Sequence, residues 1–414
     1  MNYSRGIPGL LATVRTGLFA TVLCLISAPM AKESLRSLAD KRGMLIGAAS
    51  GDGFSGGGEA FQSTLKREFN AVVSEYQMKF GQVQPSRGVF NFAPGDNLLA
   101  FADQNGMKLR GHCLVWHKEA SFLATTAFSK SEMLAILKDH ITKVVGRYKG
   151  RIPQWDVVNE VISNDPDSLY RDSFLFRTMG IDFVDSCFRW AHQADPAALL
   201  FYNEYWAEGL GIKSDKTYNL VKGLKARGVP LDGIGLQCHF RYDSLPTFPE
   251  MDANIKRLTA LGLQVAFTEV DYRIPLPATA EELAKQREVY QGTLQVCLAN
   301  PGCKTFMVWG VTDAYSWIDQ RYPGWGNALL FDRSYGAKPA YEGLSEALSG
   351  AVSVVRLRTG PALIATGRES GKPRYVYRDP LGRLRDKAVH SLGRDMRIQL
   401  HPTHGNDGYL PPTP

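Results

Sequence analysis

The stretch "PQWDVVNEVI" (residues 153–162) has the composition of a buried strand that turns polar at its end. Trp155 and Val157 are typical of a protein core, whereas Asn159 and Glu160 are not. A lone buried carboxylate costs several kcal/mol unless it is paired or changes its pKa. The role of Glu160 therefore depends on the residues that end the other strands.

The same pattern recurs through residues 45–350, where short runs rich in Val, Ile, Leu and Phe alternate with longer segments of helical spacing. The runs are "LIGAAS" (45–50), "AVVSE" (71–75), "KLRGHCLVW" (108–116), "QWDVVNE" (154–160), "LLFYNEY" (199–205), "GIGLQCH" (233–239), "QVAFTEVD" (264–271) and "TFMVWGVTD" (305–313). Two helical segments open with capping boxes, Ser129 with Glu132 and Thr279 with Glu282. Eight strand–helix units predict an α/β fold, a (β/α)8 TIM barrel, and a doubly wound open sheet is the alternative.

Polar residues collect at the ends of these runs. They are Ser50, Glu75, His112, Trp116, Glu160, Tyr202, Asn203, Gln237, His239, Glu269, Asp271, Trp309 and Asp313. In a barrel the carboxyl ends of the strands meet at one face, and active sites lie there. The pattern therefore predicts one site built from many strand ends.

Two of these ends carry glutamates in apolar settings, Glu160 on the fourth strand and Glu269 on the seventh. Two carboxylates facing each other across a barrel mouth suit cleavage of a glycosidic bond. Either glutamate alone could instead be a metal ligand or an ion-pair partner. Strict alternation cannot point both Asn159 and Glu160 inward, so we expect a bulge or a strand end there.

Alternation also predicts which side chains share a face near Glu269. Gln237 and His239 share one face of their strand, and Glu269 and Asp271 share one face of theirs. A Glu–His–Asp cluster would orient Glu269 and keep it ionised, as a nucleophile requires. The alternative is that His239 is an ordinary core histidine.

Tryptophans follow the same strand ends. Trp116, Trp309 and Trp317 lie at or just after them. Each taken singly is typical of a core, but together at a barrel mouth they would form flat surfaces for sugar rings.

The two termini differ in composition from the predicted catalytic barrel at residues 32–350. Residues 1–31 carry Arg5 and Arg15 and then a short apolar run, which predicts a signal peptide, with an uncleaved anchor or a disordered start as alternatives. Residues 351–414 hold eleven Lys/Arg against five Asp/Glu and no Phe or Trp, which predicts a poorly ordered basic tail. A small β module or a contact with an acidic surface is the alternative for the tail. The body between them is nearly neutral, which argues against a nucleic-acid partner.

Five cysteines follow the predicted signal. Cys297 and Cys303 bracket a turn-rich loop and could close a small bridge in an oxidising compartment. Cys113, Cys187 and Cys238 lie in apolar runs and are expected to be buried free thiols.

Taken together, the motifs resemble the family ten glycoside hydrolases, the endo-β-1,4-xylanases. The matching stretches are "EYQMKF" (75–80), "RGHCLVWH" (110–117), "WDVVNE" (155–160), "NEYWAE" (203–208), "DGIGLQCH" (232–239), "FTEVD" (267–271), "WGVTDAYSW" (309–317), "LLFD" (329–332) and "KPAY" (338–341). They cover almost all of residues 43–350 in family order.

The resemblance implies roles for individual residues. Glu160 matches the acid/base, Glu269 the nucleophile, Asn159 the residue that binds the sugar 2-hydroxyl before the cut, and His239 and Asp271 the pair that orients the nucleophile. The positions that match glycone-side binding residues are Glu75, Lys79, His112, Trp116, Gln237, Trp309 and Trp317. The resemblance also implies a disulfide between Cys297 and Cys303.

The chain departs from the family pattern at the second glycone subsite. Tyr76 and Phe80 replace the usual Asn and Trp, and Glu119 stands where Gln usually binds the second sugar. Ser121 and Leu123 replace the usual Pro and Trp. These changes bear on chain length and substrate preference rather than on reaction class.

The resemblance therefore implies a secreted or periplasmic, monomeric, retaining endo-β-1,4-xylanase that acts on xylan and xylo-oligosaccharides. It implies no cofactor, no metal, no nucleic-acid partner, and no membrane contact once the signal is cleaved. A β-1,4-glucanase or a xylan transglycosylase on the same barrel is the nearest alternative. An inactive glycan-binding or inhibitor protein is the alternative from another class, but such a protein has no need for both Glu160 and Glu269.

Overall fold

The computed structural model describes residues 33–118 and 121–350 together with three short strands nearer the carboxyl end. Eight parallel strands form the core, β1 Leu45–Ala49, β2 Ala71–Val73, β3 Lys108–Trp116, β4 Gln154–Asn159, β5 Leu199–Glu204, β6 Gly233–Leu236, β7 Gln264–Pro275 and β8 Cys303–Val308. Each strand pairs in parallel with the next, and β8 pairs with β1. The ring is therefore closed, and the predicted (β/α)8 barrel is confirmed.

Helices fill the connections between the strands. They are Leu35–Asp40, Gly53–Gly56, Gly58–Glu68, Phe80–Val83, Ala93–Gln104, Ser121–Thr125, Lys130–Arg147, Phe174–Met179, Phe183–Ala194, Ile212–Ala226, Phe248–Thr259, Ala280–Ala299, Trp317–Arg321 and Pro339–Ser349. Both predicted capping boxes form, because Ser129 and Thr279 each accept a hydrogen bond from the backbone three residues on. In the described part of the chain, no helix is long and apolar enough to cross a membrane.

The inside of the barrel below the strand ends is partly polar. Arg110, fully buried on β3, donates to both carboxylate oxygens of Asp156 on β4 at 2.5 and 3.2 Å, and to Gln154 at 2.5 Å. Gln154 in turn donates to Thr305 on β8 at 3.1 Å. Burial works against the charge of Asp156, but Arg110 and His112 lower the pKa of this carboxyl below its ordinary value. This network supplies the partners that a buried charge needs, and it forms the floor of the site.

The cysteines behave as the sequence suggested. Cys297 and Cys303 form a disulfide at the start of β8, and Cys113, Cys187 and Cys238 are buried free thiols.

Two of the predicted segments lie largely outside the described residues. The whole predicted signal, residues 1–31, lies outside them. The single residue Glu119 also lies outside them. Within the predicted tail, the strands Leu363–Glu369, Lys372–Arg378 and Leu384–Lys387 form an antiparallel sheet. The order of the rest of residues 351–414 stays a prediction.

Candidate active site

Glu160 sits just beyond the end of β4, where the strand geometry breaks. β4 ends at Asn159, and Glu160 takes a left-handed backbone conformation with φ of 61°. The pairing of β4 with β5 also skips Val157, so β4 carries one extra residue. The expected bulge and strand end are therefore both present, and together they let Asn159 and Glu160 line the same cavity.

The Glu160 carboxylate is buried and held on one oxygen. Its Oε1 accepts hydrogen bonds from Gln237 Nε2 at 3.1 Å and Asn159 Nδ2 at 3.3 Å. Its Oε2 is also buried, and no hydrogen bond reaches it from the described residues. Burial opposes the charge, but His117, Arg171, the hydrogen bond from Gln237 and Lys213 together outweigh it and lower the pKa of Glu160 below its ordinary value.

Glu269 lies on β7 with donors on both carboxylate oxygens. Asn203 Nδ2 donates to Oε1 at 2.7 Å, and His239 Nε2 contacts Oε2 at 3.0 Å. The other ring nitrogen of His239 lies 2.9 Å from Asp271 Oδ2, which also accepts from Trp317 Nε1 at 2.8 Å. The Glu–His–Asp cluster that alternation predicted is therefore formed.

His239 carries a positive charge at neutral pH. Burial disfavours the charged ring, but Asp271 and Glu269 raise the pKa of His239 to about 10. Both ring N–H groups then donate to carboxylates. This arrangement fixes the direction in which the Glu269 oxygens point.

The two glutamates are linked through side-chain amides. Asn203 donates to Asn159 Oδ1 at 3.0 Å as well as to Glu269, and Asn159 donates to Glu160. Gln237 donates to both Asn159 and Glu160. Fixed amides thus set the spacing between the two carboxylates.

The cavity at the barrel mouth brings most of the predicted residues together. Its lining consists of Glu75, Tyr76, Lys79, Trp116, Asn159, Glu160, His239, Glu269, Trp309 and Trp317. The three tryptophans are more than nine-tenths buried, so each both packs in the core and borders the cavity. His112, Gln237 and Asp271 lie behind this lining and contact it by hydrogen bonds or at short range.

Two ionisable residues after β2 border the same cavity. Burial raises the pKa of Glu75 to about 7, although Lys79 and a hydrogen bond from Tyr76 act against this. Lys79 Nζ lies 4.8 Å from the ring centroid of Trp116 and 5.0 Å from that of Tyr76. Tyr76, one of the departures from the family pattern, therefore borders the site directly.

Three residues that support the site were not among the predicted site residues. The sequence marks Asn203 only as a polar residue at a strand end. In the structure its side-chain amide donates to both Asn159 and Glu269. Arg171 donates to the backbone carbonyl of Glu160 at 2.8 Å, and Lys213 Nζ lies 2.9 Å from the buried Glu204. Arg171 and Lys213 come from outside the strands, and no strand pattern signals them.

Within the described residues, no group of three or more His, Cys, Asp or Glu side chains is arranged to hold a metal ion. A closed (β/α)8 barrel with two buried carboxylates sharing an aromatic-lined cavity at the strand ends defines the molecule as a glycoside hydrolase.

Comparison with known proteins gives the particular family. The model of glycosyl hydrolase family 10 matches residues 34–347. The chain is 38% identical over 346 residues to endo-1,4-beta-xylanase B of Thermotoga neapolitana, covering 83% of this chain and 97% of that protein. The chain therefore belongs to glycosyl hydrolase family 10, and the resemblance seen in the sequence is confirmed.

Solved structures agree with this assignment. Native xylanase 10B from Thermotoga maritima is 41% identical, with a TM-score of 0.74 over 77% of this chain and 98% of that chain. Xylanase 10B from Thermotoga petrophila RKU-1, solved in complex with xylobiose, is 40% identical, with a TM-score of 0.75 over 78% and 99% of the two chains.

Proposed function

We propose that this protein is a retaining endo-1,4-β-xylanase that hydrolyses internal bonds of xylan, with Glu269 as nucleophile and Glu160 as acid/base. Family membership and the names of the relatives support the substrate. The single observation that carries the mechanism is the contrast between the two glutamates. Glu269 has a donor on each oxygen, whereas Glu160 has one oxygen free of hydrogen bonds from the described residues.

In the first step a Glu269 oxygen attacks the anomeric carbon of the sugar on the glycone side. The bond to the leaving oxygen breaks while the Glu160 carboxyl gives that oxygen its proton. The products are a glycosyl ester on Glu269, an ionised Glu160 and a shortened chain with a free hydroxyl. Because Asn203 and His239 already hold Glu269, little reorganisation is needed as its charge moves onto the sugar.

In the second step water takes the place of the leaving chain. Glu160 accepts a proton from the water, the water oxygen bonds to the anomeric carbon, and the ester bond to Glu269 breaks. Both carboxyl groups return to their starting states. Two displacements at one carbon leave the product with the configuration of the substrate.

Glu160 must be protonated for the first step and ionised for the second. The lowered pKa in the empty cavity suits the second role. A bound sugar chain displaces water from the cavity that Glu160 borders, which disfavours the charged form and raises the pKa of Glu160 in the complex. Substrate binding thus supplies the proton-bearing state that the first step uses.

The two ends of the substrate lie on opposite sides of the catalytic pair. The cavity is bordered by Glu75, Trp116 and Trp309, which lie at or after the ends of β2, β3 and β8. These residues bind the glycone side. The leaving chain then extends past Glu160 over the ends of β5 and β6.

The test compares release of reducing ends from xylan and from carboxymethylcellulose. We expect xylan to be strongly preferred and Glu269→Ala to abolish turnover. Glu281→Ala, which removes an exposed carboxylate from the helix Ala280–Ala299, is the matched control and should leave turnover unchanged. A higher rate on carboxymethylcellulose would reassign the enzyme as a glucanase, and full activity of Glu269→Ala would refute the mechanism.

We further propose that the protein works outside the cytoplasm, secreted or in the periplasm. The charged and apolar composition of residues 1–31 and the Cys297–Cys303 disulfide support this, because disulfides persist in oxidising compartments. Fractionation of expressing cells tests it, and recovery of the full-length chain in the cytoplasm alone would contradict it.

A further inference from the structure

Glu160 begins a short segment, residues 160–162, that continues past the end of β4 and is named the acid/base segment here. β4 ends at Asn159, and Glu160 has a left-handed backbone with φ of 61°. A residue other than glycine keeps such a conformation only where the surrounding structure imposes it. The contacts of the acid/base segment therefore set the direction in which the Glu160 carboxyl points.

Each backbone N–H and C=O group of the acid/base segment has a hydrogen-bond partner. The Arg171 side chain donates to the carbonyls of Glu160 at 2.8 Å and Ile162 at 3.4 Å. The Arg171 backbone N–H donates to the carbonyl of Val161 at 2.8 Å. The N–H of Glu160 continues the strand ladder, because it donates to a backbone carbonyl of β5 at 3.0 Å. The other two N–H groups donate to side chains instead.

The side chains that accept from these two N–H groups come from β5. The Val161 N–H donates to the Tyr202 hydroxyl at 3.1 Å, and the Ile162 N–H donates to Glu204 Oε2 at 3.2 Å. Tyr202 donates to the same Glu204 oxygen at 2.5 Å. Burial and the charge of Glu204 raise the pKa of Tyr202 well above its ordinary value, so its hydroxyl keeps the proton that this bond needs. Glu204 thus holds one N–H group directly and the other through Tyr202.

Glu204 itself is fully buried and has donors on both oxygens. Its Oε1 accepts from the Tyr205 N–H at 3.2 Å and lies 2.9 Å from Lys213 Nζ. Lys213, on the helix Ile212–Ala226, also donates to Asn164 Oδ1 at 2.8 Å, so the ammonium is fixed on two sides. A buried carboxylate needs such a paired cation and such hydrogen bonds.

We propose that Glu204 is a positioning residue for the acid/base: with Lys213 as its counter-ion, it holds residues 160–162 so that the Glu160 carboxyl reaches the leaving oxygen. The Glu204 side chain is buried and lies outside the lining of the catalytic cavity, so it acts through the segment rather than on the sugar. The inference rests on the proposed function, because the direction of Glu160 matters to the leaving group only if Glu160 is the acid. A displacement of about 1 Å can cost on the order of 100-fold in rate.

The test compares a substrate whose leaving group must be protonated with one whose leaving group needs little protonation. Xylopentaose is the first, because a sugar hydroxyl is a poor leaving group, and 4-nitrophenyl β-xylobioside is the second. Glu204→Gln keeps the size of the side chain and removes its charge. We expect its kcat/KM on xylopentaose to fall on the order of 10-fold to 100-fold, and its kcat/KM on the aryl substrate to change much less.

Tyr202→Phe is the second variant, because it removes only the hydroxyl that joins Glu204 to the Val161 N–H. It leaves the buried ion pair in place and so guards against a folding defect in Glu204→Gln. We expect the same selective loss on xylopentaose, smaller than that of Glu204→Gln.

A third measurement reports the second step of the reaction. Azide is an anionic nucleophile that attacks the anomeric carbon without a general base, and the ester bond to Glu269 breaks as the glycosyl azide forms. Added azide should therefore raise kcat of Glu204→Gln on the aryl substrate and have little effect on the wild type.

Glu68→Gln is the matched control, because Glu68 is another buried glutamate with the same kinds of partner. It accepts from the Tyr341 hydroxyl at 2.9 Å and the Leu35 N–H at 3.2 Å. It also pairs with Arg67 at 2.7 Å. Glu68 precedes the start of β2, at the face of the barrel opposite the catalytic cavity. Any loss in Glu68→Gln should be equal on the two substrates.

Equal losses on both substrates in Glu204→Gln and Tyr202→Phe, or an unchanged rate on xylopentaose in both, would overturn the proposal. If Glu204→Gln does not fold, Tyr202→Phe decides between these results. Failure of the proposed function would show instead in Glu160→Ala, which would then lose equally on both substrates. A selective loss in Glu160→Ala beside equal losses in the other two variants would refute the positioning role alone.

Discussion

His239 offers a sharp test of how the site is held together. The difference between its ordinary pKa of 6.5 and the value of about 10 in the fold corresponds to on the order of 5 kcal/mol of interaction favouring the charged ring. The side chain is buried between Glu269 and Asp271, so solvent screens this interaction little. Replacing His239 by Asn removes the charge and leaves two buried carboxylates facing each other with fewer donors.

The sign of the pH dependence follows from the direction of the shift. Because the pKa of His239 is raised on folding, its stabilising contribution is fully present below about pH 6.5. The contribution is lost progressively as the pH rises from about 6.5 through about 10. The free energy of unfolding of the wild type should therefore fall toward that of His239→Asn across this window.

The assays are urea unfolding at several pH values and kcat/KM profiles on 4-nitrophenyl β-xylobioside. Without His239 one oxygen of Glu269 loses its charged donor, so the direction in which that oxygen points is no longer fixed. We expect kcat/KM to fall on the order of 100-fold, as for other lost donors to reacting charges. His192→Asn, on the exposed side of the helix Phe183–Ala194, is the control. A folded His239→Asn enzyme with unchanged kcat/KM, or with a free energy of unfolding that still falls between pH 6.5 and 10 as steeply as that of the wild type, would refute the proposed role of the cluster.

The remaining predictions concern the two glutamates and the glycone side. Glu160→Ala should slow hydrolysis of xylan far more than that of activated aryl xylosides, which need little protonation, and equal losses would contradict its role. A xylobiose complex should show the Glu160 and Glu269 carboxyl groups about 5–5.5 Å apart, and NMR of fresh product should show retained configuration; a separation near 9 Å would indicate inversion. Tyr76→Asn with Glu119→Gln should enlarge the gain in kcat/KM from aryl xyloside to aryl xylobioside, because it restores amide contacts typically worth on the order of 1–3 kcal/mol. An unchanged gain would mean that the second glycone subsite is built differently.

The barrel and the meeting of Glu160 and Glu269 at one cavity could be predicted because they depend on short-range patterns. Alternation along a strand depends only on backbone geometry, so Glu269 and Asp271 within β7 could be paired from their spacing alone. Gln237 and His239 both reach the site, but they lie beyond the end of β6 and Cys238 between them has a left-handed backbone, so strand alternation is not the reason. The break after Asn159 was also foreseen, since two neighbouring inward side chains cannot share a regular strand. These features need no knowledge of which strands are neighbours in space.

Other features depend on contacts between distant segments and could not be read in this way. Asn203 joins Asn159 to Glu269 only because β4, β5 and β7 converge at the barrel mouth. Arg171 reaches Glu160 from a loop, and loops carry no periodic signal.

The two catalytic carboxylates differ because the barrel surrounds them differently. Glu269 lies within β7, and Asn203 near the end of β5 and His239 beyond the end of β6 are its fixed donors. Glu160 lies beyond β4, where the strand ladder has ended and one oxygen accepts no hydrogen bond from the described residues. A nucleophile must keep its charge and direction, whereas an acid/base must change its charge twice in each cycle. A carboxylate held on both oxygens suits the first task, and one with an oxygen that accepts no hydrogen bond from the described residues suits the second. The position of each residue relative to the end of its strand therefore supports the role proposed for it.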